Sequence, residues 1–222
     1  GSKPNSNLPK VIVDKIYTAN GAAEKGEIFR RFNSNNELTC ICGASEFARN
    51  ENVSKRIITA KPDRLIIRSG AIELPESLND QTKLYCYSNF EQWKFQSAYF
   101  NYSFLALFLS EFSHQNTISK KILYVLKGLK NKKLQGTSTG FFAILLALHE
   151  NPNSNIIISG IGMKGGNRFY NLNETEVHSY DSRAKVDRFL SKYLKSIYRK
   201  RLFSLDDDLV KNGNIQKWQG KI

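Results

Sequence analysis

The sequence predicts an α/β fold with a Rossmann-like, mostly parallel sheet and helices on both faces. Three observations carry that expectation. Short β-rich runs alternate with longer segments of helical character, the pattern left by parallel strands joined through crossover helices. Ile156, Ile157 and Ile158 form a continuous apolar run suited to a strand buried on both faces. That run ends in Ser159-Gly160-Ile161-Gly162, a glycine turn of the kind a central strand delivers at its C-terminal end.

In order along the chain, residues 10–13, 38–42, 64–68 and 83–87 are the first strand candidates. Residues 98–112 read as a buried helix and 121–126 as a further β-rich run. Phe141 to His149 is apolar all round, as a fully enclosed helix must be, and Ser138-Thr139-Gly140 before it supplies N-cap candidates. Pro152 and its flanking asparagines end that helix. Residues 163–180 have no usable period and are rich in Gly and Asn, so they read as a long loop. Val186, Phe189, Leu190, Tyr193, Leu194 and Ile197 then recur at helical spacing. Residues 202–205 are a last strand candidate, and Asp206-Asp207-Asp208 either caps a short tail helix or sits in a loop. Gly1-Ser2 reads as an expression scar with residues 1–9 a disordered start, leaving 10–222 as a single domain.

Composition excludes several classes. The 222 residues include 33 Lys plus Arg against 20 Asp plus Glu, giving a formal charge of +13. With 41% hydrophobic and 12% aromatic residues the chain can bury a full core and is neither disordered nor collagenous. Cys40, Cys42 and Cys86 are few and odd in number, and Cys40-x-Cys42 is too tight for a zinc pair, so reduced thiols are expected. The longest greasy stretch, 98–112, is short of the roughly 20 apolar residues a span requires.

No GxxxxGK[ST], HExxH, GxSxG or strand-linked GxGxxG is present, which removes the common nucleotide hydrolases, zincins and dehydrogenases. What remains are small polar turns at Asn20-Gly21-Ala22, Thr137 to Gly140 and Ser159 to Gly162. In an open α/β sheet the loops at strand C-termini surround the ligand crevice, and a helix N-terminus favours an anion. Ser138, Thr139 and Gly140 are therefore the best anion cradle, although ordinary turn chemistry would use the same residues. His149 suits a C-terminal dipole partner and His114 a polar link. His178, closing the long loop before a helix, is either a surface histidine or a general base working near neutral pH.

The segment Thr137-Ser138-Thr139-Gly140-Phe141-Phe142-Ala143, the run through Ile158-Ser159-Gly160-Ile161, and His178-Ser179 followed by Lys185, Phe189 and Leu190 resemble the bacterial sialyltransferases of glycosyltransferase family 42, of the lipooligosaccharide type. Tyr87-Ser88-Asn89-Phe90 also looks like the Ser-Asn-aromatic turn after a middle strand of that fold. The resemblance implies a GT-A-like variant fold and a nucleotide-sugar-binding domain with a lid at about 163–178. It implies an inverting, metal-independent enzyme without cofactor that moves sialic acid from a CMP donor to an oligosaccharide or glycolipid acceptor. By the same resemblance His178 matches the base. Ser138, Thr139 and Gly140 match the turn holding CMP, Ser159 and Gly160 a second donor contact, and Asn20 and Gly21 a first-strand Asn-Gly. Gly162 replaces an acidic residue of the family pattern, and Lys164 stands in place of a phosphate-binding tyrosine. Lys164, with Arg168 or Tyr170, would then neutralise the departing phosphate. Gly43 and Ser69 stand where the family carries asparagines, which leaves another CMP-sugar such as CMP-Kdo, or a non-catalytic nucleotide- or anion-binding module, as alternatives.

The basic residues concentrate at Lys120-Lys121, Lys130, Lys132-Lys133 and Arg199-Lys200-Arg201. No nucleic-acid-binding motif accompanies them, and the aromatics lie apart from the basic runs, so specific nucleic acid binding is not expected. For a transferase acting on lipid-linked glycans, the expectation is a bacterial cytoplasmic protein in peripheral contact with the anionic inner face of the membrane. A solvated basic face is the plainer alternative, and oligomers remain open.

Overall fold

A computed structural model describes residues 13–30, 35–79, 81–100, 117–120, 122–123, 126, 137–161 and 180–220. Four parallel strands, β1 (Lys15–Ala19), β2 (Glu37–Gly43), β3 (Arg64–Arg68) and β4 (Lys83–Tyr87), lie side by side in chain order. Each pair is in parallel register, for example Ile16 opposite Leu38 and Ile41 opposite Ile66. A second parallel sheet holds β5 (Ile156–Ile158), β6 (Leu202–Ser204) and β7 (Gln216–Lys217). The connections are α1 (Ala23–Arg30), α2 (Ala44–Arg49), α3 (Glu51–Ala60), α4 (Glu76–Asn79), α5 (Asn89–Ser97), α6 (Thr139–Glu150), α7 (Tyr180–Tyr193), α8 (Ser196–Arg199) and α9 (Asp207–Gly213). This is an α/β architecture with parallel sheets flanked by helices, compatible with a Rossmann-like fold.

Alternation along β2 sorts its side chains between two faces, as the period of a strand requires. Leu38, Cys40 and Cys42 pack with Ala23, Val53, Ile57 and Ala60 under α1 and α3. Ile41, with Ile66, meets Phe142, Ala143 and Leu146 of α6. The opposite side of α6, through Phe141, Ile144, Leu145 and Leu148, belongs to a further core with Ile158, Leu190, Leu194, Leu202 and Leu209. Helix α6 is apolar all round because two cores enclose it. Each of its buried large side chains contributes roughly 1.5–3 kcal/mol of transfer free energy.

Helix α6 runs opposite to the strands. Glu150 at its C-terminus reaches Tyr17 near the start of β1 and Arg64 at the start of β3. Its N-terminal neighbour Thr137 receives Arg68 from the end of β3. The α6 N-terminus therefore sits at the strand C-terminal end of the molecule.

Several elements depart from the sequence expectation. The first strand is Lys15–Ala19, two residues beyond 10–13, because Ile16 and Thr18 are the inward pair that registers with β2. Residues 10–12 lie outside the described residues. Ala98 and Tyr99 form a turn after α5 and Phe100 bridges Leu194, so the described part of 98–112 is not helical. Within 121–126 the described residues are helical rather than extended, at positions 122, 123 and 126. Strand β4 is an end strand of its sheet, with Tyr85 and Cys86 exposed. The helix over 180–193 stops at Leu194, so Ile197 falls in the separate α8 and is 62% exposed instead of continuing the buried stripe.

Candidate functional site at the strand C-terminal end

The turns after the parallel strands carry unusual backbone and unmet polar groups. Asn20, directly after β1, is buried in a left-handed conformation with φ 53°. Asparagine tolerates that region better than other residues with a side chain. Its Oδ1 has no hydrogen-bond partner among the described residues, nor has Oγ1 of Thr137 or Oγ of Ser159. Buried polar atoms are nearly always satisfied, so these three, half of the six such side-chain atoms without a partner among the described residues, call for an explanation, although Asn36 Oδ1 at the other end of the sheet is a fourth. Gly21 is buried beside Asn20. Ser69, after β3, is likewise left-handed at φ 63°, and its hydroxyl accepts from Gln92 Nε2 at 3.1 Å.

Side chains from one strand and two helices hold the start of α6. The Thr137 N–H donates to Gln96 Oε1 at 2.8 Å, and its carbonyl accepts from the buried Arg68 guanidinium at 2.9 Å. Arg68 also donates to Gln92 Oε1 at 2.7 Å and lies 4.6 Å over the Phe142 ring. The Ser138 N–H donates to the buried Asp187 at 2.9 Å, and the Ser138 hydroxyl oxygen accepts from the Phe141 N–H at 3.2 Å, an N-cap. The backbone donor and one acceptor site of Ser138 are thus used in building the turn. Thr139 and Gly140 are the first two residues of the helix, whose N–H groups have no intrahelical acceptor. A Cβ on Gly140 would stand 3.4 Å from the Ile161 side chain, so this turn and the loop after β5 touch.

The loop after β5 is tied from β6. Gly160, at φ 76°, donates its N–H to Asp206 Oδ2 at 2.6 Å, and the Ile161 N–H binds the same carboxylate. Asp206 precedes α9 but its side chain makes no cap bond there; it is spent on this loop instead. Burial raises its pKa above the ordinary carboxylate value, against the two N–H bonds that lower it, with Asp207 and Asp208 adding to the rise. Of the Ser159-Gly160 pair, the Gly160 N–H is therefore occupied, and the Ser159 hydroxyl is the open group.

The structure brings Ser138, Thr139 and Gly140 against the Ser159-Gly160 loop and places Asn20 and Gly21 at the same end of the sheet. His178, Lys164, Arg168 and Tyr170, with Gly162, His114 and the lid at 163–178, lie outside the described residues. Sequence reasoning missed Arg68, Gln92, Gln96 and Asp187. The signal was present as the i, i+4 pair Gln92 and Gln96 on one helix face, and as Asp187 within the apolar stripe of α7. His149 lies at the far end of α6, with Nδ1 2.6 Å from the Tyr99 hydroxyl and its ring edge-on to Phe95.

Among the described residues no group of three metal-ligating side chains converges, and no helix is long and apolar enough to cross a membrane. No family profile matches the chain, and no curated protein or solved structure is significantly similar to it.

Proposed function

We propose that the chain is an inverting glycosyltransferase of the sialyltransferase type, working without metal or cofactor. It moves sialic acid or a related nonulosonate from a CMP-activated donor to an oligosaccharide or glycolipid acceptor on the cytoplasmic side of the bacterial membrane. The observation that supports this reading is that the α6 N-terminus, next to the loop after β5, lies at the strand C-terminal end, where Asn20, Thr137 and Ser159 have buried polar atoms without partners among the described residues. An anionic nucleotide with ribose and base hydroxyls, amines and carbonyls supplies what such a place lacks.

In this reading Thr139 and Gly140 donate backbone N–H groups to the CMP phosphate, and Asn20, Gly21, Ser138, Ser159 and Gly160 line the nucleoside. His178 takes the acceptor hydroxyl proton as that oxygen attacks the anomeric carbon. The bond from that carbon to the phosphate oxygen breaks, and CMP leaves with its charge met by Lys164, Arg168 and Tyr170. The sugar transferred includes CMP-Kdo as an alternative, because Gly43 and Ser69 offer different contacts from asparagine.

Calorimetric titration with CMP, and with CDP, UMP and AMP as controls, in buffer free of divalent metal tests the donor site. Selective CMP binding is the expected outcome, and equal weak binding of all four refutes it. A His178→Ala variant should then keep CMP affinity and lose transfer. A second reading, a non-catalytic nucleotide- or anion-binding module, is favoured by one observation: Asp206 already occupies the Gly160 and Ile161 N–H groups, leaving fewer donors for a reacting phosphate. Turnover unchanged in His178→Ala would remove His178 from the mechanism, and CMP binding without turnover of any CMP-sugar would favour the module.

A further inference from the structure

Three consecutive aspartates, Asp206, Asp207 and Asp208, stand at the junction of β6 and α9, and the structure gives each a different partner. Asp207 pairs with Lys217 at 2.9 Å, and Asp208 accepts from Asn212 at 2.6 Å. Asp206 turns instead to the loop after β5, where the Gly160 N–H reaches it at 2.6 Å and the Ile161 N–H binds the same carboxylate. An aspartate directly before a helix ordinarily caps it, and Asp206 forgoes that bond. Its backbone is held for the longer reach. Ser204, fully buried, accepts from the Asp206 N–H at 2.9 Å and donates to the Asp206 carbonyl at 3.3 Å, while the Leu205 N–H donates to the Ile158 carbonyl at 3.0 Å.

The loop so held is a working part of the open end. Gly160 is buried, so without Asp206 its N–H would lose the partner that burial demands. The Ile161 side chain lies against Gly140 in the first turn of α6, and Ser159, one residue before Gly160, carries a hydroxyl without a partner among the described residues. We infer that Asp206 is a positioning residue for the open end of the sheet: through the Gly160 and Ile161 N–H groups it fixes the loop after β5 against the first turn of α6, and with it the place at which the Ser159 hydroxyl is offered. Asp206 acts through the loop and touches no ligand itself. A carboxylate suits the task because one group takes two adjacent donors in charge-assisted bonds, which are stronger than neutral ones. The choice of CMP as ligand probe below rests on the glycosyltransferase reading; the loop geometry does not.

The test compares the full chain with Asp206→Ala, Asp206→Asn and Asp207→Ala by amide hydrogen exchange and by calorimetric titration with CMP, at a temperature where circular dichroism shows the proteins folded. In Asp206→Ala the Gly160 and Ile161 amides should exchange about 10-fold faster or more, with a smaller rise at Phe141 and Phe142, and CMP affinity should fall about 5- to 10-fold. Asp206→Asn, which keeps one acceptor oxygen, should lie between that variant and the unsubstituted chain, and it carries the test if the alanine variant does not fold. Asp207→Ala removes an exposed ion pair and should match the unsubstituted chain in both readouts. Unchanged exchange at Gly160 and Ile161 overturns the inference. So does faster exchange there with CMP affinity undiminished, or an acceleration spread evenly over the whole chain, which would make Asp206 a general stabiliser. If the unsubstituted chain binds no CMP, the donor reading fails, and faster exchange confined to the loop and the start of α6 still upholds the anchor.

Discussion

The two ends of the parallel sheet differ in how many of their buried polar groups find partners. At the strand N-terminal end a network satisfies most of the polar groups: Tyr17 donates to Glu150 at 2.5 Å, Arg64 bridges Glu150 at 2.5 Å and Glu37 at 2.8 Å, and Asn151 donates to the Tyr17 hydroxyl at 3.0 Å, while Asn36 Oδ1 before β2 is without a partner among the described residues and Lys61 before β3 is left-handed. Burial opposes the charge on Arg64, but Glu150 and Glu37 outweigh it and raise its pKa. At the strand C-terminal end, Asn20, Thr137 and Ser159 have buried atoms with nothing to bind, and Asn20 and Ser69 hold left-handed backbone. A fold tolerates unmet groups and strain where something else is to meet them. The closed end secures α6 to the sheet, and the open end is what that anchorage presents.

The contrast breaks most directly at Glu150. Glu150→Ala strips one acceptor from both Tyr17 and Arg64, leaving a guanidinium with a side chain only 19% exposed and one carboxylate fewer. A loss of about 2–3 kcal/mol in urea unfolding is expected, somewhat below the cost of breaking a fully buried pair. If stability changes by less than about 1 kcal/mol, this end is not the structural anchor.

Next in size is the seat of α1 on the sheet. A Cβ at Gly26 would stand 2.7 Å from Leu38 Cδ1 and 2.7 Å from Thr18 Cγ2, so either these side chains or the helix must shift. Gly26→Ala should cost about 1–2 kcal/mol despite the gain in helix propensity, readable as a lower thermal midpoint. If the open end holds CMP, its affinity should change less than for substitutions there.

Alkali should also act on the packed interior. Burial pushes the Cys40 thiol from 9.0 up to about 12, and burial, with Glu150, raises the Tyr17 hydroxyl. Above about pH 9 the unfolded thiol releases its proton while the folded one keeps it, so the folded state binds more protons and stability falls as pH rises toward 12. The slope from Cys40 approaches about 1.4 kcal/mol per pH unit once its unfolded form is ionised. Unfolding curves at pH 8, 9 and 10 should show that decline, and Cys40→Ala should flatten it; an unchanged slope would remove Cys40 as its source.

Legibility in the sequence followed the same division. Strands β3 and β4 match their expected bounds because Leu65 to Ile67 and the segment ending at Tyr87 are dense in β-forming residues. Helix α6 was legible because Phe141 to Leu148 are apolar without a break and follow N-cap candidates, of which Ser138 does cap the helix. The first strand was displaced because residues 10–13 are more apolar than Lys15–Ala19, and register with β2, a tertiary fact, decides between them. The turns of the site were legible as small polar clusters, but their supports were not. Arg68, Gln92, Gln96 and Asp187 come from three separate elements, and only the packed fold reveals that they converge on Thr137 and Ser138. The bond from Asp206 to Gly160 was hidden for a related reason, since an aspartate one residue before a helix reads as a cap.

The smallest stability effect carries the sharpest test of the open end. Thr137→Val replaces a hydroxyl without a partner among the described residues by a methyl group of nearly the same size. Removing a buried unmet polar group relieves its desolvation, so the apo protein should be unchanged or stabilised by up to about 1 kcal/mol. Ser159→Ala should behave alike. If that end holds a nucleotide, the same variants should weaken CMP binding about 5- to 10-fold, the value of a lost neutral hydrogen bond. Loss of affinity without loss of stability is the signature of a group held in reserve for a ligand. The reverse, lower stability with unchanged affinity, would mean that the hydroxyls serve the fold, and the two ends of the sheet would no longer differ in kind.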